Sequence, residues 1–254
     1  MGVLQALQRT PGALKRAPGL VVPQLIVFVL VLPQLLLQTT YPFVSMLYSL
    51  GSSLILLLGM PFIQGGMFGM ANEALTTRSS LSRFVSDGKA NYVQLLVAYI
   101  VLVVVNGVIG AVGVGSGIGA VVGHRSVRIV FIGLAAVAGL LYLVTVFVLQ
   151  FYGQAIVISG ASAIASFKRS YRIVRENLLA VGGYTLVALV IGMLVGGIYG
   201  GISLVASPEA TTMIGLPALS TPLLVVVGVL AAGIGSIVSA FMLTFSVAVY
   251  DELA

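Results

Sequence analysis

Charged residues are so sparse along this chain that the gaps between them map its elements. None occurs between Arg16 and Glu73, Lys89 and Arg125, Arg128 and Lys168, Glu176 and Glu209, or Glu209 and Asp251. A helix needs about 20 predominantly apolar residues to cross the hydrocarbon of a bilayer. The first gap holds two such runs, separated at Gln38-Thr39-Thr40-Tyr41-Pro42, and each of the others holds one. The pattern predicts six spans: Leu20–Leu37, Phe43–Gly65, Tyr92–Gly113, Ile129–Gln150, Val181–Val205 and Leu223–Val247. Period-two alternation is absent, and open strands would leave unpaired amides in lipid. The expected fold is all-α, a single polytopic membrane domain over residues 1–254.

Composition agrees and narrows the chemistry. Hydrophobic residues make up 59% of the 254 positions and charged residues 7%, against roughly a quarter charged in soluble domains. With a mean hydropathy of +1.18, the chain lacks the polar surface of a water-soluble globule. The absence of cysteine removes disulfides and thiol chemistry, and one histidine with six carboxylates leaves little for acid–base or metal work. We therefore expect no catalytic centre, no metal site and no cofactor. The formal charge of +6 fits loops facing anionic headgroups rather than nucleic acid.

Cation placement predicts the orientation. With the N-terminus inside, Arg9, Lys15, Arg16, Arg78, Arg83, Lys89, Lys168, Arg169, Arg172 and Arg175 share one side, and only Arg125 and Arg128 fall on the other. The positive-inside rule then puts both termini in the cytoplasm of a plasma-membrane protein. The N-terminal stretch does not read as a cleaved signal peptide, because its polar lead is long and no A-x-A site follows its apolar run. Ala6 stands where N-myristoylation takes Ser or Thr.

Three segments on that side, 4–17, 74–90 and 162–178, are expected to be amphipathic interfacial helices. In the last, Ile164, Phe167, Tyr171, Val174 and Leu178 share a narrow sector at 100° per residue, flanked by Lys168, Arg169, Arg172 and Arg175. Such a helix lies in the membrane interface with cations at the headgroups. The N-terminus repeats the pattern 160 positions earlier, where Leu4, Leu7, Pro11 and Leu14 replace the apolar set and Arg9 and Lys15 match Arg169 and Arg175. A weaker copy matches Leu81, Arg83, Lys89 and Asn91 to Phe167, Arg169, Arg175 and Asn177. Each copy precedes two spans, which suggests three units of interfacial helix plus helical hairpin. The bland alternative is that any juxtamembrane loop is basic and somewhat amphipathic.

The stretch Ala165-Ser166-Phe167-Lys168-Arg169-Ser170-Tyr171-Arg172-Ile173-Val174-Arg175-Glu176-Asn177, followed by an apolar span, resembles the signature of a broad six-helix family. That family includes the membrane domain attached to some bacterial glycerophosphoryl diester phosphodiesterases. With Leu81-Ser82-Arg83-Phe84 and Gly88-Lys89-Ala90-Asn91-Tyr92, the chain is similar to standalone relatives in halophilic archaea. The resemblance implies the six-helix architecture and a prokaryotic cell membrane. It implies no activity, because the phosphodiesterase chemistry belongs to a soluble domain that these residues do not include.

The glycine run Val112–Gly119 lacks the G-x-x-x-x-G-K-[ST] and G-x-G-x-x-G spacings of phosphate-binding turns. Gly192, Gly196 and Gly200 form a tandem G-x-x-x-G, and the sixth span offers Gly228, Ala232, Ser236 and Ala240 at the same spacing. Small residues at that spacing allow close helix packing, either between spans five and six or between copies of the chain in a homo-oligomer. Asn106, Gln150 and Gln154 are expected either to make interhelical hydrogen bonds or to line a polar cavity. No charged residue lies deep in a span, which argues against proton or sodium coupling.

These readings converge on a membrane platform. Arg9, Lys15, Arg83, Lys89, Lys168, Arg169, Arg172 and Arg175 are the residues expected to contact anionic lipid headgroups or an acidic protein partner. A solute permease or transporter subunit built around Asn106, Gln150 and Gln154 is the alternative. A membrane-embedded lipid enzyme is the third class, with Glu73, Asp87 and Glu176 as its available carboxylates.

Overall fold

The structure, a computed structural model, describes residues 2–206 and 220–254. Among them, all regular structure is helical. A short helix α1 (Gly2–Arg16) leads through a 3-10 turn (Pro18–Leu20) into α2 (Val21–Thr40) and α3 (Pro42–Ala74). Then come α4 (Leu81–Val122), α5 (Arg125–Leu149), the short α6 (Tyr152–Val157) and α7 (Ala163–Glu176). The chain finishes with α8 (Leu178–Ala206) and α9 (Thr221–Leu253).

Among the described residues, five segments are long and apolar enough to cross a membrane: Phe43–Ala74, Leu81–Val122, Arg125–Val157, Leu178–Val205 and Val225–Leu253. The chain is thus a helical, multi-pass membrane protein. The expected first span, Leu20–Leu37, falls in the 20-residue helix α2 but is not among these five, and the apolar stretch Pro18–Val27 lies at its start.

The membrane helices pair as hairpins. In α2–α3, Gln34 donates to the Ser45 hydroxyl at 3.1 Å and the Tyr48 hydroxyl donates to the Leu30 carbonyl. In α4–α5, the Phe131 ring covers Gly119, and Gly113 faces Ala138. In α8–α9, the Tyr199 hydroxyl donates to the Ala231 carbonyl at 2.7 Å.

The hairpins meet at one end, the end that carries α1, α6 and α7. Buried side chains concentrate there: Ala6 and Ala13 of α1, Met67, Met70, Ala71 and Ala74 of α3, Phe151 and Ala155, Ile173 and Val174, and Phe245–Tyr250. Phe151 is the hub, with ring centroids 5.6 Å from Tyr184 and 6.1 Å from Tyr250. α1 packs on α9, and Arg9 forms ion pairs with Glu252 at 2.7 Å and Asp251 at 3.3 Å. Arg16 donates to the carbonyls of Ala74 and Leu75, satisfying acceptors that the end of α3 leaves open.

The closest helix crossing is between α3 and α4. A Cβ added to Gly66 would meet the Phe84 ring and carbonyl, one on Gly69 would meet the Asp87 carboxylate, and one on Gly88 would lie 2.9 Å from the Phe62 carbonyl. Gly65 and Gly69 are themselves a G-x-x-x-G pair, so small residues allow the backbones to approach here. Gly192, Gly196 and Gly200, the expected packing stripe, instead stand exposed, and among the described residues no other part of the chain lies within 4 Å of an added Cβ. Within one chain α8 meets α9 through larger side chains such as Tyr199, so the stripe does not pack spans five and six together.

One further boundary differs from expectation. Residues 74–90 do not form a separate helix: Ala74 ends α3, and α4 runs unbroken from Leu81 for 42 residues. No proline interrupts it, and Gly88 is held by the α3 crossing. The expected fourth span, Ile129–Gln150, ends within a residue of its expected boundary: α5 stops at Leu149, and Gln150–Phe151 separate it from α6. The freed Phe151 N–H donates to Ser170 Oγ at 3.1 Å, while that hydroxyl donates to the Val148 carbonyl at 2.7 Å. One serine on α7 thereby bridges the broken ladder.

Candidate functional site

α7 starts where Ser162 caps it, its hydroxyl accepting from the Ala165 N–H. Gln94 of α4 also accepts from the Ala163 N–H at 3.0 Å. The helix ends at Asn177, whose side-chain amide donates to the Ile173 carbonyl at 3.1 Å. Asn91 makes the same bond to the Asp87 carbonyl at 3.0 Å, at the position the weaker copy pairs with Asn177. The N-terminal copy shares a burial pattern with α7. Ala6, Thr10 and Ala13 are buried as Ser166, Ser170 and Ile173 are, and Leu4 and Ile164 are both 68% exposed.

The faces of α7 are three, not two. Ala163, Ser166, Ser170, Ile173 and Val174 turn to the core, so Val174 leaves the apolar strip assigned to it. Ile164, Tyr171 and Leu178 form an exposed apolar row with Phe167 half-buried at its edge. Beside that row Lys168, Arg172 and Arg175 are exposed, and among the described residues none has a carboxylate within 4.0 Å.

The eight expected contact cations therefore divide. Lys15 and Lys89 are exposed and unpaired like the three on α7. Arg9 is engaged with Asp251 and Glu252, and Arg83 with Asp87 at 2.6 Å, so these two act within the chain rather than as free contacts. Arg169 is half-buried, and its Nε is buried without a hydrogen-bond partner. It lies on the far flank of the helix from the other three cations, about 100° round at 100° per residue.

Two concavities adjoin the free cations. One of about 770 Å³ opens between α1, the end of α7 and the start of α8, lined by Val3, Leu4, Arg175, Leu179, Gly183 and Val187 among others. A second, of about 470 Å³, is lined by Tyr171, Arg172, Arg175 and Glu176. Arg175 and Glu176 line both. Sequence reading found the cations but missed the apolar wall, which only the approach of α1 to α8 creates.

The expected polar cavity is partly assembled. Asn106 and Gln150 line one space of about 170 Å³ with Thr145 and Tyr152. The Asn106 Oδ1 is buried there without a partner, while Gln150 donates to the Phe147 carbonyl and accepts from Thr185. Gln154 is not part of this space. The α5–α6 break turns it into the core, where it is 3% exposed and donates to Ser246 Oγ at 3.1 Å. Among the described residues, no three His, Asp or Glu side chains converge as a metal site.

The profile of one family, described as "Domain of unknown function (DUF7847)", matches residues 1–253, so the chain belongs to that family. Comparison with curated proteins and with solved structures gives no match.

Proposed function

We propose that the chain, as a member of that family, is a non-catalytic membrane platform of a prokaryotic plasma membrane, with both termini cytoplasmic. Its basic helix α7 holds anionic lipid headgroups, and Lys15 and Lys89 add to the same field. The observation that carries this reading is the exposed row Ile164, Tyr171 and Leu178 beside the unpaired row Lys168, Arg172 and Arg175. An apolar strip enters the acyl boundary while the adjacent cations meet phosphates. Each cation near an anionic leaflet contributes about 1 kcal/mol. The three on α7 together favour anionic over zwitterionic lipid by about two orders of magnitude, at 1.4 kcal/mol per tenfold.

The test is lipid retention by the full chain in nanodiscs of mixed anionic and zwitterionic phospholipid. Lys168, Arg169, Arg172 and Arg175 are changed together to Gln. The annular lipid should lose its anionic enrichment. Enrichment equal to wild type would remove the proposal.

A second reading, a solute permease not coupled to protons or sodium, rests on the space around Asn106 with its unpartnered amide oxygen. Solute flux in liposomes that responds to Asn106→Leu would favour it.

A further inference from the structure

We infer that the groove between α1, α7 and α8 is a site for a single anionic phospholipid, with its phosphate at Arg175 and one acyl chain laid along α8. This rests on the platform reading and specifies where one lipid is held. The groove has a polar mouth and an apolar floor. Arg175, Glu176 and Asn177 form the mouth, and Leu179, Gly183 and Val187 continue from it along α8. Those three residues are spaced four apart on one helix face and cover about 12 Å at 1.5 Å per residue. Val3 and Leu4 of α1 make the opposite wall.

The occupant follows from complementarity. Leu179 is 94% exposed and Leu4 is 68% exposed, so the walls present apolar side chains that only an apolar ligand or lipid would cover. The volume of about 770 Å³ lies in the roughly 300–1,000 Å³ range of small-ligand sites. At the mouth, Arg172 reaches the adjoining concavity together with Arg175, so two guanidinium groups face one carboxylate, Glu176. The mouth also sits at the start of α8, where the helix dipole favours an anion. Gly183 keeps the floor open, since nothing lies within 4 Å of the Cβ it lacks.

Native mass spectrometry of the full chain in mild detergent tests this. Phosphatidylglycerol and phosphatidylcholine are supplied in equal amounts, with glycerol 3-phosphate as the soluble competitor. Wild type should keep one phosphatidylglycerol adduct above the graded background, and glycerol 3-phosphate should not displace it. Gly183→Leu, which fills the floor without changing charge, should reduce that adduct at least tenfold. Arg175→Gln should reduce its preference over phosphatidylcholine about fivefold, the equivalent of about 1 kcal/mol, and Glu176→Gln should raise it.

A graded distribution with no single adduct would overturn the site, as would full retention in Gly183→Leu or displacement by glycerol 3-phosphate alone. If Gly183→Leu does not fold, Val187→Phe fills the same floor and is held to the same outcomes. The two levels separate cleanly. Loss of annular enrichment in the four-Gln variant with an unchanged adduct in Gly183→Leu leaves the platform and removes the groove. Loss of the adduct in Gly183→Leu with undiminished enrichment in the four-Gln variant does the reverse.

Discussion

Gly66→Ala should be among the most damaging single-methyl additions in this protein. The new Cβ would lie 2.5 Å from the Phe84 carbonyl oxygen and against its ring, whereas real Cβ atoms essentially never approach below 3.0 Å. The ring could swing aside, but the carbonyl belongs to the backbone of α4 and moves only if the helices separate. Overpacking of this kind costs typically 1–3 kcal/mol, or about 5–150-fold in the unfolding equilibrium at 1.4 kcal/mol per tenfold. Gly192→Ala is the matched control. No atom outside its own helix backbone lies within 4 Å of its added Cβ, and replacing a helical Gly by Ala gains up to about 1 kcal/mol in propensity. That gain is common to both helical sites, so equilibrium unfolding in mixed micelles, followed by helical circular dichroism, should place the two variants about 1–3 kcal/mol apart, with Gly66→Ala the weaker. If Gly66→Ala stays within about 0.5 kcal/mol of wild type, the ordinary range for an uncrowded surface site, the close crossing of α3 and α4 is wrong.

Ser170→Ala should destabilise by about 1–3 kcal/mol, because the buried Phe151 N–H loses its acceptor. Ser166→Ala, whose hydroxyl only donates to the Ala163 carbonyl of its own helix, should cost less in the same unfolding assay, and the opposite order would refute the bridging role. A double-mutant cycle of Arg9→Gln with Glu252→Gln should give a coupling below about 1 kcal/mol that fades in high salt, since both side chains are partly exposed. A larger coupling that survives salt would mean the pair is shielded. Asn106→Leu should raise stability, because its amide oxygen is buried unpaired and such a group costs about 1–3 kcal/mol. A fall in thermal stability would reveal a partner for that oxygen.

Much of the architecture was legible because charge is so scarce. The gaps located the apolar runs, and the amphipathic reading of Ser162–Asn177 matches α7 at Ala163–Glu176. What stayed hidden depended on neighbours distant in sequence. Two sets of glycines at helical spacing were equally visible, yet only Gly65, Gly66 and Gly69 meet another helix. Spacing says that close approach is allowed, not which face receives a partner. The break at Gln150–Phe151 has no proline to announce it, and it exists where Ser170 can satisfy the backbone it frees. That break also separates Gln154 from Asn106 and Gln150. Arg9 read as a free cation because its carboxylate partners could not be assigned from sequence, whereas Arg83 has Asp87 only four positions on. Asp251 and Glu252 lie at the opposite end of the chain, and Asp87 is fixed by the α3 crossing.

The position of the core has a thermodynamic consequence. α4, at 42 residues, is about 63 Å long at 1.5 Å per residue, roughly twice the 30 Å hydrocarbon thickness. Its surplus begins with Arg83, Asp87 and Lys89, and the Phe84–Gly88 stretch there packs against α3 beside the main core. Aliphatic side chains gain nothing by leaving lipid for protein, so assembly inside a bilayer relies on dispersion and polar contacts. Outside the hydrocarbon, water again expels apolar surface. If the end that carries α1 and α7 stands outside the hydrocarbon, the final docking of the three hairpins obeys the rules of an ordinary aqueous protein. Its heat capacity of unfolding, its sensitivity to cooling and its response to osmolytes should resemble those of a soluble domain, even though most of the chain is dissolved in lipid.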